Sequence, residues 1–190
     1  MTASDRSRFN YVVLGIDPGS KVAGFGCIGS YKAHPQSVKD LKIIDAGVIK
    51  LSASSSGIAK IRQIHEAVYD IIESLQPTTC VIEKAFLGAN VQSALKLGEI
   101  RGSIIAACQR FRIPVVEFAP TRVKKMVAGF GHATKEDISR SLATLINYQE
   151  GLLPHDASDA LALALCHAME APVIQALGGH GALLQQNIPR

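Results

Sequence analysis

The sequence predicts an α/β fold in which helices flank a mixed five-stranded β-sheet. Three short β-rich runs with brief connections open the chain, two further strands then alternate with helices, and helices close it. Strands joined by short turns pair antiparallel, whereas a strand reached through a helical crossover pairs in parallel. An antiparallel meander extended by crossover strands therefore forms a mixed sheet with helices on its faces.

Each strand is predicted from a short run of β-branched, aromatic and other apolar residues. The first run ends at the turn signal Pro-Gly-Ser, the second is rich in glycine, and the segment 30–40 before the third resembles a hairpin tip. The predicted strands cover residues 11–17, 22–29, 41–51, 78–83 and 113–120.

The helices are predicted from apolar residues at helical spacing and from residues that begin or end a helix. Asn90 is a good N-cap, Thr134 and Asp137 resemble a capping box, and Gly129 stops a short helix. The predicted helices cover residues 54–77, ended by Pro77, then 90–112, 121–129, 134–147 and 155–171, the last of which stops before Pro172.

Length and composition indicate one globular domain. The chain has 190 residues, of which 47% are hydrophobic and 19% are charged. We assign residues 1–172 to a single domain and expect residues 173–190 to be a flexible tail. The formal net charge of +4 permits an acidic partner such as nucleic acid without requiring one.

The cysteines and the apolar runs predict where the protein works. The four cysteines lie far apart without a C-x-x-C pair, so we expect buried free thiols in a reducing compartment. The first ten residues lack the apolar core of a signal peptide, and no run reaches the roughly 18 to 20 apolar residues of a membrane span. We therefore expect a cytoplasmic protein.

Four acidic residues stand at the ends of predicted elements. Asp17 ends the first strand, Glu83 ends the fourth, and Asp156 and Asp159 share one face of the last helix. If the first and fourth strands are parallel neighbours, their carboxylates emerge at the sheet edge where α/β folds bind ligands. Converging carboxylates favour hard divalent cations, and two such ions commonly assist phosphodiester hydrolysis.

Each of these acids also has a purely structural explanation. Asp17 begins a common turn sequence, and Glu83 can be a solvated strand end. Asp156 and Asp159 match a helix N-cap and the acid three residues after it, an arrangement that stabilises a helix start. The metal hypothesis is favoured because all four explanations would have to hold at once.

The motifs together resemble the RuvC family of Holliday-junction resolvases. The segments that carry the resemblance are "LGIDPGS", "VIEKAF", "SALKLGEIRG" and "HDASDALALALCH", in this order, between about Val12 and His167. "GID" alone is a weak signal, but "SALKLGEIRG" followed by "DASDALA" is highly specific. The resemblance covers most of the chain.

The resemblance implies a fold similar to RNase H and a nuclease of DNA recombination and repair. Members act as homodimers on four-way DNA junctions and cut two strands symmetrically, which leaves 5′-phosphate and 3′-hydroxyl ends. Their cofactor is Mg²⁺ or Mn²⁺, for which we expect two ions per active site. They work beside the RuvA–RuvB branch-migration complex.

The resemblance also assigns residues. Asp17, Glu83, Asp156 and Asp159 are the expected catalytic and metal-binding residues. The expected DNA-binding residues are Phe86, which would stack on a junction base, and the phosphate-contacting Lys124 and Lys135. Without the resemblance, a buried phenylalanine explains Phe86 equally well, and solvated helix lysines are the default explanation of Lys124 and Lys135.

Several neighbouring residues are ambiguous. Lys125 leaves open which lysine of its helix faces the DNA, and Arg122 and Lys84 can extend the same basic patch. By the same resemblance, the helix that contains "SALKLGEIRGSIIAA" is expected to form the dimer interface.

Four glycines lie in or near these predicted functional elements. Gly98 and Gly102 in the dimer-face helix either allow a partner to approach or pack against the sheet. Gly19 and Gly24 lie near the first turn, where bulk would obstruct DNA.

Three other functions remain open from the residues alone. The first is an RNase H-like nuclease with another nucleic-acid substrate, and the second is a noncatalytic junction-binding module. The third is a sugar-kinase or actin-like ATPase, because these also begin with a strand that ends in "GID" followed by glycine. That fold needs a second phosphate loop in a second domain, for which 190 residues leave little room.

Overall fold

A computed structural model describes residues 9–84, 90–148 and 153–176, with the backbone alone for 171–176. Its five strands form one sheet in the order β3-β2-β1-β4-β5. Strands β1, β2 and β3 form an antiparallel meander, and β4 and β5 extend it in parallel with β1, as predicted. The strands are β1 (Tyr11–Asp17), β2 (Val22–Ser30), β3 (Lys42–Lys50), β4 (Thr79–Glu83) and β5 (Val115–Phe118).

Five α-helices cover the two faces of this sheet within the described part of the chain. They are α1 (Gly57–Leu75), α2 (Val91–Arg110), α3 (Pro120–Ala128), α4 (Lys135–Leu145) and α5 (His155–Ala176). Helices α1 and α2 enclose one apolar core with the sheet, and α3, α4 and α5 enclose a second core on the opposite face. A short 3-10 helix, Val38–Asp40, lies between β2 and β3.

The helix ends confirm the predicted capping residues. The Asn90 side chain accepts a hydrogen bond of 3.0 Å from the Ser93 N–H at the start of α2. Thr134 and Asp137 form a reciprocal capping box at the start of α4. Gly129 ends α3 with φ of 90°, a left-handed conformation that glycine adopts without steric cost.

The predicted end of the last helix is wrong. Helix α5 continues through Pro172 to Ala176 instead of stopping before the proline. Proline removes one N–H donor but holds φ near −65°, which is a helical value, so the flanking backbone can stay helical. The domain boundary at residue 172 and the flexible tail stay predictions, and residues 177–190 lie outside the described residues.

The cysteines are buried and free, as predicted. Cys27, Cys80 and Cys108 belong to the core under α1 and α2, and Cys166 belongs to the opposite core. Within the described residues, no helix combines the length and the hydropathy that crossing a bilayer requires.

Alternation along β1 sends its side chains to the two cores in turn. Leu14 and Ile16 pack into the core with α1 and α2, whereas Val13 packs into the core with α5. Because the period of a strand is two residues, Gly15 and Asp17 share the side of Val13. The last residue of β1 therefore faces the side of the sheet that α5 covers.

Candidate active site

Strand pairing brings Asp17 and Glu83 to the same edge of the sheet. In the parallel register of β1 and β4, Ile16 is paired with Ile82, and each acid is the next residue along its strand. Both residues end their strands, and alternation places both on the α5 side. The prediction that the two strands are parallel neighbours is confirmed.

Three glycines of the sheet allow the backbone of α5 to lie directly against β1 and β2. An added Cβ atom at Gly15 would lie 2.0 Å from the carbonyl oxygen of Ala160. At Gly24 it would lie 1.8 Å from the carbonyl oxygen of Asp156, and at Gly26 it would lie 2.6 Å from the backbone nitrogen of Leu161. We call Gly15, Gly24 and Gly26 the glycine patch. The patch lets the start of α5 come close to Asp17, because Gly24 is the β2 residue paired with Asp17.

The structure gives a reason for glycine at the first turn that differs from the sequence interpretation. Gly24 avoids the backbone of α5, and a Cβ atom at Gly19 would lie 1.8 Å from the carbonyl oxygen of Val22. Both positions are constrained by contacts within the chain, whether or not DNA also approaches them.

The helix-capping explanation of Asp156 and Asp159 is wrong. Helix α5 begins at His155, so Asp156 is already inside its first turn. The Ser158 N–H donates to the carbonyl oxygen of Pro154 over 3.1 Å, which marks the residue before the helix. Asp156 is therefore the second helical residue and Asp159 belongs to the following turn, so neither occupies the cap position.

The carboxylates gather around one cavity. Asp17, Asp156 and Asp159 each offer an oxygen atom, and these atoms lie within 4.8 Å of one another. Glu83 lines a cavity of about 240 Å³ together with Asp17 and Asp159. The structure thus brings together all four acidic residues that the sequence analysis selected.

Crowding and burial change the ionisation of the strand-end acids. Burial, followed by the charges of Glu83, Asp159 and Asp156, raises the pKa of Asp17 to about 7. Burial and then Asp159 also raise the pKa of Glu83. Each carboxylate makes its neighbours harder to ionise in the absence of a cation, which is the electrostatic condition that a divalent cation relieves.

Lys135 lies among these acidic residues. The Lys135 ammonium forms an ion pair of 2.8 Å with Asp159. Its hydrogen bond to Asp159 raises the pKa of Lys135, and its charge opposes the rise of the pKa of Asp17 and of Glu83. Lys135 therefore neutralises part of the acidic cluster in this structure.

The other basic residues separate into those near the cavity and those away from it. Lys124 lines the cavity, whereas Lys125 is exposed and does not line it, so Lys124 is the lysine of α3 that faces the acids. The Arg122 guanidinium pairs with Glu170 at 2.7 Å, away from the cavity along α5, so it does not extend this basic patch. Lys84 is exposed, and Phe86 lies outside the described residues.

Arg101 is a residue at the site that the sequence analysis missed. Its Nε–H donates to the backbone carbonyl of Glu83 over 3.3 Å, and its guanidinium pairs with the Glu117 carboxylate on β5. Arg101 thereby joins α2 to the ends of β4 and β5, next to the strand-end acid. The signal was present, since Arg101 belongs to the specific motif "SALKLGEIRG".

The glycines of α2 do not pack against the sheet. A Cβ atom at Gly98 or Gly102 would have no neighbouring atom of the described residues within 4 Å. Of the two explanations offered for these glycines, packing on the sheet is therefore wrong. Among the residues that the structure describes, the surface around them is open.

The donor chemistry of the cavity suits a hard cation. Carboxylate oxygens are the preferred ligands of Mg²⁺ and Mn²⁺, and the cluster Asp17, Asp156 and Asp159 contains neither thiolate nor imidazole. With a pKa near 7, about half of the Asp17 carboxyl groups are protonated at neutral pH, and a bound cation would displace that proton. The residues present therefore fit a divalent metal site.

A mixed sheet of this strand order, flanked by helices, is an RNase H-like fold. The family model described as "Crossover junction endodeoxyribonuclease RuvC" matches residues 13–167. The chain therefore belongs to the RuvC family of crossover junction endodeoxyribonucleases.

Individual relatives agree with this assignment. A protein of Hydrogenovibrio crunogenus named crossover junction endodeoxyribonuclease RuvC is 41% identical over 155 residues, which cover 82% of this chain and 86% of the relative. The structure of Thermus thermophilus RuvC in complex with a Holliday junction substrate has a TM-score of 0.78 and 29% identity, over 86% of this chain and 96% of that one. The yeast mitochondrial Holliday junction resolvase shares the fold, with a TM-score of 0.60 at 12% identity over 86% of this chain and 80% of that one.

Proposed function

We propose that this protein resolves four-way DNA junctions by cutting two strands symmetrically, through Mg²⁺-assisted hydrolysis of phosphodiester bonds. The observation that carries the proposal is the convergence of Asp17, Glu83, Asp156 and Asp159 at one edge of the sheet. The relatives are named for crossover junctions, and one neighbour was solved on a Holliday junction. A complete set of carboxylates favours a nuclease over a noncatalytic junction-binding module.

The proposed metal ligands are the four carboxylates, and we propose two ions per active site, with Mn²⁺ as an alternative to Mg²⁺. Bound divalent cations supply Lewis-acid charge at the phosphate and lower the pKa of water, so that hydroxide is available near neutral pH. The four carboxylates contribute by holding negative charge at one edge of the sheet, where the cations would bind. Asp17 is central to this role because, in addition to burial, the charges of all three other acids raise its pKa.

Lys124 and Lys135 are proposed to hold the phosphate backbone at the mouth of the cavity. Both line the cavity that contains Asp17, Glu83 and Asp159. A cation bound by Asp159 would compete with its ion pair to Lys135, and the released ammonium would then be free to contact a phosphate. Phe86 keeps its proposed role in stacking on a base.

A homodimer would account for paired cuts, because each subunit would cut one of two strands. The proposed interface is a stripe on α2 formed by Val91, Leu95, Gly98 and Gly102, at spacings that place them on one helix face. The Val91 and Leu95 side chains are 70% and 64% exposed, and none of the described residues covers either glycine. Exposed apolar side chains beside open glycines suit close approach of a second α2 helix.

The dimer is tested by Leu95→Asp, with Ile58→Asp as the matched control. Ile58 is 81% exposed on α1, so the control introduces the same charge at another exposed apolar residue. Mass measurement in solution should give a dimer for the wild type and for Ile58→Asp, and a monomer for Leu95→Asp. A wild-type monomer at micromolar concentration would contradict the dimer, as would a Leu95→Asp protein that remains dimeric.

The proposed cellular role is in DNA recombination and repair. We infer a cytoplasmic location from the DNA substrate and from the bacterial relatives. By the same family relationship, the RuvA–RuvB branch-migration complex is the proposed partner.

The proposed activity is tested with a labelled synthetic four-way junction and a linear duplex of the same sequence. We expect Mg²⁺-dependent cleavage of the junction at two symmetric positions, with ends that a ligase can rejoin, and much slower cleavage of the duplex. Addition of EDTA should abolish cleavage but leave junction binding.

Other outcomes identify the alternatives. Equal cleavage of junction and duplex, or preferential cleavage of RNA, would indicate an RNase H-like nuclease with another substrate. Junction binding without cleavage under any divalent metal would indicate a binding module and would contradict the proposed activity.

A further inference from the structure

A second cavity lies at the same edge of the sheet as the acids, and lysines surround it. Its volume is about 230 Å³. Three separate parts of the chain line it: the turn between β1 and β2, the start of α1, and the first half of α2. The polar residues among its lining are Ser20, Lys21, Ser55, Lys60, Lys96 and Glu99.

The charge of this second cavity is positive. Lys21, Lys60 and Lys96 contribute three ammonium groups, and Glu99 contributes the one carboxylate of its lining. Within the described residues, none of these lysines forms an ion pair. The residues that line the cavity therefore carry a net positive charge, which favours binding of an anion.

The fold holds the backbone of Lys21 and the side chain of Lys60 at this cavity. The carbonyl oxygen of Lys21 accepts a hydrogen bond of 2.9 Å from the Leu51 N–H, which ties the first turn to the end of β3. Lys60 is half-buried on α1, and its ammonium reaches the carbonyl oxygen of Ser20 at 3.5 Å. Ile100, a buried residue of the core under α1 and α2, forms part of the cavity floor.

This lysine cavity and the acidic cavity are neighbours on opposite faces of the sheet. Lys21 follows Asp17 by four residues, so their Cα atoms are at most about 14 Å apart even in a fully extended chain. A duplex strand advances about 3.4 Å per phosphate, so this upper limit corresponds to at most about four nucleotides. One DNA strand that crosses this edge can therefore reach both cavities.

We propose that the lysine cavity binds a phosphate of the substrate strand a few nucleotides from the phosphate that is cut. Lys60 is its central contact, with Lys21 and Lys96 on either side. This subsite fixes the path of the strand across the sheet edge and so helps to align the scissile phosphate with the carboxylates. The inference rests on the proposed function, because it assumes a DNA substrate.

The first test measures junction affinity in EDTA as a function of salt. For Lys60→Gln we expect about three- to tenfold weaker binding, and a plot of log affinity against log salt whose slope is shallower by about 0.7 to 0.9. Lys60→Arg keeps the charge and should bind nearly as well as the wild type. Lys39→Gln removes the same charge at the opposite end of the sheet, in the 3-10 helix, and should leave both affinity and slope unchanged.

The second test locates the phosphate. Single phosphates of the cut strand are replaced by neutral methylphosphonates, and binding is measured for the wild type and for Lys60→Gln. We expect one position away from the cut where the replacement weakens binding of the wild type but has little further effect on the variant, as contacting groups in a double-mutant cycle do. Equal losses for both proteins at every position would overturn the proposal.

The outcomes separate this subsite from the proposed junction-cutting activity. If the wild type cuts junctions but Lys60→Gln binds them like Lys39→Gln, the subsite is wrong and the activity stands. If the wild type cuts no junction but its binding to duplex or single-stranded DNA depends on Lys60, the activity is wrong and the subsite stands.

Discussion

The two faces of the sheet meet their helices in different ways. On the face of α1 and α2, large side chains such as Leu14 and Ile16 separate the sheet from the helices. On the other face, the glycine patch brings the backbone of α5 into direct contact with β1 and β2. Both faces carry an apolar core, and the carboxylates gather at the edge of the second face.

This difference indicates what a metal site requires of its fold. Aspartate side chains are short, so acids on a helix and on a strand can share a cation only if the two backbones lie close together. The glycine patch provides that closeness at Gly24, next to Asp17 and Asp156. On the α1 and α2 face, no such backbone contact at a glycine of the sheet is found in the described part of the chain.

The largest expected effect is the loss of cleavage in Asp17→Asn. The amide keeps the shape but removes the negative charge that attracts a divalent cation, so we expect cleavage of a four-way junction to fall by about a hundredfold or more. Junction binding should persist, because the phosphate-contacting lysines are unchanged. Asp70→Asn, on the exposed side of α1, is the matched control and should cleave normally. Cleavage by Asp17→Asn at the wild-type rate would remove Asp17 from the active site.

The glycine patch is tested by Gly24→Ala. The new Cβ atom would overlap the carbonyl oxygen of Asp156, so α5 must move or the strand must bend. We expect the free energy of unfolding in urea to fall by about 1 to 3 kcal/mol, with weaker metal binding because Asp156 and Asp159 are displaced. A variant as stable as the wild type would mean that the approach of α5 is less constrained than the distances indicate.

The contact of Arg101 with the strand ends is tested by Arg101→Gln. Removing the guanidinium leaves Glu117 without its ion pair and the Glu83 carbonyl without this donor, so we expect a loss of about 1 to 2 kcal/mol in unfolding free energy. Metal affinity measured by calorimetry should also fall, since Glu83 is less well positioned. Arg110→Gln, in the last turn of the same helix, should change neither quantity. If metal affinity is unchanged, Arg101 stabilises the fold without positioning Glu83.

The raised pKa of Asp17 predicts how stability depends on pH in the absence of metal. The folded protein keeps this proton until about pH 7, whereas an aspartate in the unfolded chain loses it near its ordinary pKa of 3.8. Unfolding therefore releases a proton between these values, and the free energy of unfolding should fall as pH rises from about 4 to 7. We expect a decrease of about 3 kcal/mol from this residue, measured in urea with EDTA. Asp17→Asn should lack this component, and an identical pH profile in both proteins would contradict the assignment.

The smallest expected effect is a gain from Gly98→Ala, measured in the Leu95→Asp background so that the chain is monomeric. The new Cβ atom meets no neighbour, and alanine is favoured over glycine inside a helix by about 0.5 to 1 kcal/mol. The variant should therefore unfold at higher urea concentration than its background. A loss of stability instead would mean that this surface of α2 is packed within the monomer, and the contrast with Gly24 would disappear.

The sequence determined the elements, their order and the acids at their ends. Strand alternation, helical spacing and capping residues such as Asn90 and Thr134 depend on neighbours a few residues away, so they can be read along the chain. The same is true of Asp17 and Glu83, because the β-rich runs end at these residues. The end of α5 was misjudged because the rule that proline stops a helix is only a tendency.

The tertiary structure decided which of these residues meet. The approach of α5 to the glycine patch, the ion pair between Lys135 and Asp159, and the contact of Arg101 with Glu83 each join different elements of the fold. Such contacts depend on how closely two elements pack, and no local pattern specifies that distance. The sequence therefore contained the ligands of a metal site, and only the packing of a helix backbone onto glycines placed them within reach of one ion.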